Sequence, residues 1–71
     1  MKEVKSSNIH SIGWTAEHGL KITFRGKDGK PTSTYHYAEA PESVHDELMA
    51  ADSHGKHFLA HIRNAYAGVK Q

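Results

Sequence analysis

Seven histidines among 71 residues are the first chemical feature of this chain. His57 and His61 stand four apart, a spacing that puts two imidazoles on one face of a helix and within reach of one metal ion. His54 could join them from the preceding turn. No glutamate sits between them as in His-Glu-x-x-His, and nothing in the spacing fixes a third ligand, so no metal site is expected. Histidine side chains titrate near pH 6.5, so an excess of them makes the surface charge pH-sensitive, and anion binding is expected to tighten below that pH. Serine, histidine and aspartate are all present, but no nucleophile elbow gathers them. Gly26 and Gly29 fall in a lysine-rich turn rather than a phosphate-cradling loop. No catalytic residue and no cofactor are therefore expected, and the chain reads as a binding module rather than an enzyme.

Three groups of residues suit binding chemistry. Tyr35 and Tyr37 lie two apart, so on a strand both rings leave the same face. They either stack on nucleobases, at about 1–3 kcal/mol per base, or fill the core. A chain this small needs apolar burial from every strand, which favours the core. The sheet face opposite to buried tyrosines then carries Lys21, Thr23, Arg25, Thr34 and His36, polar and slightly basic. Lys56, Arg63 and Lys70 are spaced seven apart, which on one long helix gives a basic stripe able to follow phosphates. Ser53, Gly55 and Lys56 at a helix start offer free backbone N–H groups and a lysine to an anion, although the same residues favour an ordinary serine cap.

These groups need elements to position them. Leu20-Lys21-Ile22-Thr23-Phe24-Arg25 alternates apolar and polar residues and predicts a half-buried strand. Ile9–Thr15 has strand composition too. Ile9 and Ile12 are three apart, which calls for a bulge or bend, with Gly13 the natural place. Gly19 is suited to a positive φ in the turn between these strands, and Asp28-Gly29 signals a hairpin. Thr32–Ala38 is a third strand, rich in β-branched and aromatic residues. Pro41 then opens a helix, with Val44, Leu48 and Ala51 at helical spacing to about Asp52. A second helix is predicted from about Lys56 to Ala67 on a stripe of Phe58, Ile62, Ala65 and Val69, with Gly68 as its stop. The expected fold is α+β, a three-stranded antiparallel β-meander followed by two α-helices packed on one face. Residues 1–8 are expected to be a flexible segment and 9–71 a single domain.

Length and charge bound the rest. A chain of this size supports one core, and with no cysteine there is neither a disulfide framework nor a thiolate zinc site. The longest apolar runs are two or three residues, far below the ~20 that span a bilayer. Met1-Lys2-Glu3-Val4-Lys5 lacks the apolar run of a secretory signal. A cytoplasmic location with no membrane partner is expected. Net charge is +1, but it is segregated. The middle of the chain holds Glu39, Glu42, Asp46, Glu47 and Asp52 with no lysine or arginine, while both flanks are basic.

The chain resembles the KTSC domain family, named for the C-terminal extension of some lysyl-tRNA synthetases. Ser6-Ser7-Asn8-Ile9 ahead of Ile12-Gly13-Trp14 is similar to its serine pair and Gly-aromatic step. Leu20-Lys21-Ile22-Thr23-Phe24 is similar to its second strand, and Tyr35-His36-Tyr37 to its central Tyr-x-Tyr. Ala40-Pro41-Glu42-Ser43-Val44, Ala51 to Gly55, and Phe58 through Ile62-Arg63 to Tyr66 look like its helical half. The likeness spans about Ser6 to Tyr66. It implies the fold above, and a stand-alone bacterial or phage protein of a family without an established function. RNA binding is implied only by the synthetase context. Two partners are therefore expected in the alternative. One is RNA or another nucleic acid, met by the basic stripe and sheet face. The other is a protein, met by the acidic first helix or an edge strand, with the chain itself a monomer.

Overall fold

The computed structural model describes all residues from Met1 to Gln71. Five strands form one antiparallel sheet in sequence order, β1 (Lys2–Glu3), β2 (Ile9–Thr15), β3 (Gly19–Arg25), β4 (Pro31–Tyr37) and β5 (Val69–Lys70). Helices α1 (Glu42–Ala50) and α2 (His54–His61) lie between β4 and β5 in the chain. The class is the one expected, α+β with an antiparallel sheet and two helices, but the sheet has five strands rather than three. The two additions are short edge strands, and two residues carry no periodicity from which a strand could be read.

Alternation makes the sheet two-sided. Ile12 is opposite Ile22, Trp14 opposite Leu20, and Ile22 also opposite Tyr35, so these side chains share one face. Ile9, Ile12, Leu20 and Ile22 are fully buried there, together with Leu48 of α1 and Ile62 just past α2. The register shift that brings Ile9 and Ile12 onto the same face lies between Ile9 and Ser11, not at Gly13 as the sequence suggested. Gly19 turns the chain at φ +73°, and a Cβ there would come within 2.5 Å of the Tyr37 carbonyl oxygen, so glycine alone fits. Trp14 ties β2 to the entry of α1, its indole N–H donating to the Ala40 carbonyl at 3.0 Å.

Residues 1–8, expected to be flexible, carry β1 and a buried Val4. Arg25 holds them. Its guanidinium donates to the carbonyls of Ser6 (2.9 Å), Val4 (2.8 Å) and Gly29 (2.8 Å), and lies 3.7 Å from the Glu3 carboxylate.

The second helix stops at His61, six residues short of the expectation. After Ile62 the amides of Ala65 and Tyr66 both donate to the Ile62 carbonyl, and the chain turns back toward the sheet. Phe58 and Ile62 do form its buried side. Val69 joins β5 instead, and is exposed.

Candidate binding groove

The helices do not cover the whole inward face of the sheet. Contacts between α1 and the sheet fall on β2 and β3. On β4 the cover comes from Phe58 of α2, which packs on Tyr37, and beside this contact lies a groove of about 350 Å³ lined by Phe24, Tyr35, Tyr37, Phe58, Arg63 and Gly68. Its aromatic rings are neighbours in an unbroken edge-to-face series. Tyr35 meets Phe24 at 5.7 Å between centroids, Phe24 meets Phe58 at 5.3 Å, and Phe58 meets Tyr37 at 5.8 Å, with interplanar angles of 69–78°. Such contacts contribute about 0.5–1.5 kcal/mol each beyond area burial, so the rings hold one another in place before anything binds.

The two tyrosines divide the roles that the sequence left open. Tyr37 is 5% exposed and belongs to the core. Burial, and then the charge of a neighbouring ionised Tyr35, push its hydroxyl above the ordinary tyrosine range. Tyr35 and Phe24 are only half-buried, so their apolar surface still faces water. Gly68 closes the groove on the β5 side. A Cβ there would come 2.6 Å from the Tyr37 ring, so the backbone of residue 68 packs directly on that ring.

The basic candidates regroup. Lys56, Arg63 and Lys70 do not form a helical stripe, because the helix ends before Arg63 and Lys70 lies on a strand. Two of them nonetheless come to the groove side of the sheet. Arg63 lines the groove. Lys70 is opposite Tyr35 in the β4–β5 register, and opposed residues project from the same face of a sheet. Arg25 leaves the set altogether, since its guanidinium is committed to the backbone of residues 4–6 and the hairpin. Lys21 remains on the opposite face beside His36, its register partner. On that face the Thr23 and Thr34 hydroxyls bond each other at 2.7 Å, and the His36 ring meets the Gln71 side chain at 2.8 Å.

A second concavity, about 310 Å³, lies where α2 begins and is almost wholly polar. It is lined by residues 5–8 and 52–56 with Leu59. It contains the expected anion candidates Ser53, Gly55 and Lys56, and brings Lys5 to them, which no spacing in the sequence could indicate. Two of its three serine hydroxyls accept bonds from backbone amides. Ser53 Oγ accepts from the Lys56 amide at 3.3 Å, the N-cap bond of α2, and Ser6 Oγ accepts from the amides of Asn8 and Ile9. His54 Nδ1 meets the Leu48 carbonyl at 2.9 Å.

Comparison with known proteins places the chain. The model of the KTSC domain matches residues 5–66. A protein of Tsukamurella paurometabola is 34% identical over 70 residues, covering 97% of each chain. The crystal structure of a KTSC domain protein from Yersinia pestis superposes with a TM-score of 0.82 at 35% identity, covering 99% of this chain and 93% of that one.

Proposed function

The chain belongs to the KTSC domain family, and we propose that this member is a small non-enzymatic cytoplasmic module that binds single-stranded nucleic acid, RNA foremost, in the aromatic groove. One observation carries the reading. Phe24 and Tyr35 keep apolar ring surface exposed in a groove whose edge holds Arg63, a cation with no ion-pair partner. Every base has an apolar π-face, and every nucleotide links it to a phosphate, so stacked rings beside a guanidinium match that pairing without demanding a sequence. Lys70, opposite Tyr35, adds a second cation on the same face. The synthetase context implied by the family resemblance points to the same class of ligand.

Fluorescence anisotropy with a labelled ten-nucleotide RNA, at low and moderate salt, tests the proposal. Binding should weaken as salt rises, since phosphate contacts release counterions. Tyr35→Leu, which keeps apolar volume but removes the ring, should weaken it about 10-fold. Affinity untouched by Tyr35→Leu and Arg63→Ala would reject the groove as the site.

A second reading rests on the sheet edge. β4 is seven residues long, but β5 pairs only with Tyr35 and His36. Pro31–Ser33 are left open on that side, where the strand of a protein partner can add. Sedimentation at several concentrations separates self-association at this edge from a monomer.

A further inference from the structure

Five of the seven histidines have a partner on a different kind of group. His10 lies 3.9 Å from the Glu3 carboxylate, His18 4.0 Å from Glu17, and His45 3.0 Å from Asp46. His36 meets the Gln71 side chain and His54 the Leu48 carbonyl. His18 and His36 also meet, at 5.2 Å between ring centroids, but from separate elements, whereas His57 and His61 have only each other. Their ring centroids are 4.7 Å apart with an interplanar angle of 47°, on successive turns of α2. We propose that His57 and His61 form a two-imidazole site for a divalent transition-metal ion of the borderline class, such as nickel, copper or zinc, on the outer side of the helix.

The chemistry follows from position. Imidazole nitrogen suits these metals, and residues i and i+4 are neighbours on one helix face. Both rings sit on a helix whose start is fixed by the Ser53 cap, so little order must be created when an ion arrives. His57 is half-buried and His61 exposed, which leaves the approach open. The structure places no group of three or more His, Cys, Asp or Glu side chains to hold an ion, so this pair supplies two ligands only. The remaining positions go to water or to donors from a partner. Such a site exchanges its metal readily and gives the chain a metal-dependent contact on α2. It stands independently of the nucleic-acid reading.

Calorimetric titration of the untagged chain with nickel chloride at pH 7.5 tests it. A single saturable event with one ion per chain, at a dissociation constant of about 1–50 µM, is expected, and it should weaken as pH falls and protons compete for the ring nitrogens. His57→Gln and His61→Gln should each weaken binding at least 10-fold, while His45→Gln leaves it within two-fold. Far-UV circular dichroism of each variant shows whether α2 persists. Absence of saturable binding overturns the proposal, as does binding that survives both substitutions in folded variants. The NMR signals of the two rings give an independent check. Paramagnetic nickel should broaden His57 and His61 first, and broadening that begins at other histidines contradicts the assignment.

Discussion

The aromatic groove and the polar cleft are similar in volume and opposite in state. The cleft at the start of α2 has nine polar or small residues among its ten, with Lys5 and Lys56 among them, and by composition it is the more inviting anion site. Two of its serines accept bonds from backbone amides, Ser53 as a helix cap and Ser6 as a brace for Asn8 and Ile9. Those bonds fix the serine oxygens but leave their O–H groups, with Lys5 and Lys56, free to meet an anion; what the cleft lacks is a ring on which a base can stack. The groove presents the reverse. Its rings lean on one another, but Phe24 and Tyr35 retain exposed apolar surface, and Arg63, like Lys5 and Lys56 of the cleft, has no counter-charge. A ligand that covers the rings gains free energy without undoing anything. Both concavities can meet a phosphate, but only the groove sets aromatic rings beside its cation.

Substitutions that strike one region and spare the other break or sharpen this contrast. The largest effect is expected from Arg25→Ala. It removes charge-assisted bonds to three carbonyls and releases residues 4–6, of which Lys5 and Ser6 line the cleft. Stability should fall by about 3 kcal/mol in chemical denaturation, while the folded fraction keeps its RNA affinity. Equal loss of affinity in the folded protein would tie ligand binding to the cleft. Next in size is Gly68→Ala, which sets a Cβ against the Tyr37 ring and should displace β5. RNA binding should drop several-fold and amide exchange at residues 69–71 should quicken, with the cleft residues unchanged. Ser53→Ala removes the α2 cap, for a loss of about 1 kcal/mol in stability and no change in RNA affinity; a large affinity loss would reinstate the cleft as the anion site.

The smallest effect concerns pH. Burial and Tyr35 hold the Tyr37 hydroxyl above its usual value of 10.0. Below that value Tyr37 is neutral in folded and unfolded chains alike and adds no pH dependence. As pH rises past it the unfolded chain ionises first, so stability falls. Absorbance at 295 nm should show one tyrosine lagging behind the others in alkaline titration, and Tyr37→Phe should remove the lagging step.

Much of the fold could be read from side-chain period. The alternation of Leu20, Ile22 and Phe24 announced β3, and Pro41 with Val44 and Leu48 announced α1. What could not be read was set by long-range contact. β1 and β5 are two residues each, held by pairing with β2 and β4. The apolar period from Phe58 to Val69 continued past a real helix end, and the seven-residue spacing of Lys56, Arg63 and Lys70 was regular without a helix beneath it. Arg25 alternated properly with Lys21 and Thr23, yet a register shift just before it accompanies its turn toward the first residues. At the groove, Tyr35, Tyr37 and Arg63, with Lys70 beside Tyr35 on β5, were all recognisable as binding residue types. Their meeting place was not, because it depends on β5 returning beside β4, and Phe24 and Phe58 read simply as core.

The most direct test is to follow the aromatic ring protons of Phe24, Tyr35 and Phe58 by NMR while a short single-stranded RNA is added at low salt. Stacking should move the Tyr35 and Phe24 ring signals together, with the same saturation, and leave the amides of Ser53, Gly55 and Lys56 in place. Shifts at those amides with the rings unmoved would locate binding in the polar cleft and contradict the account.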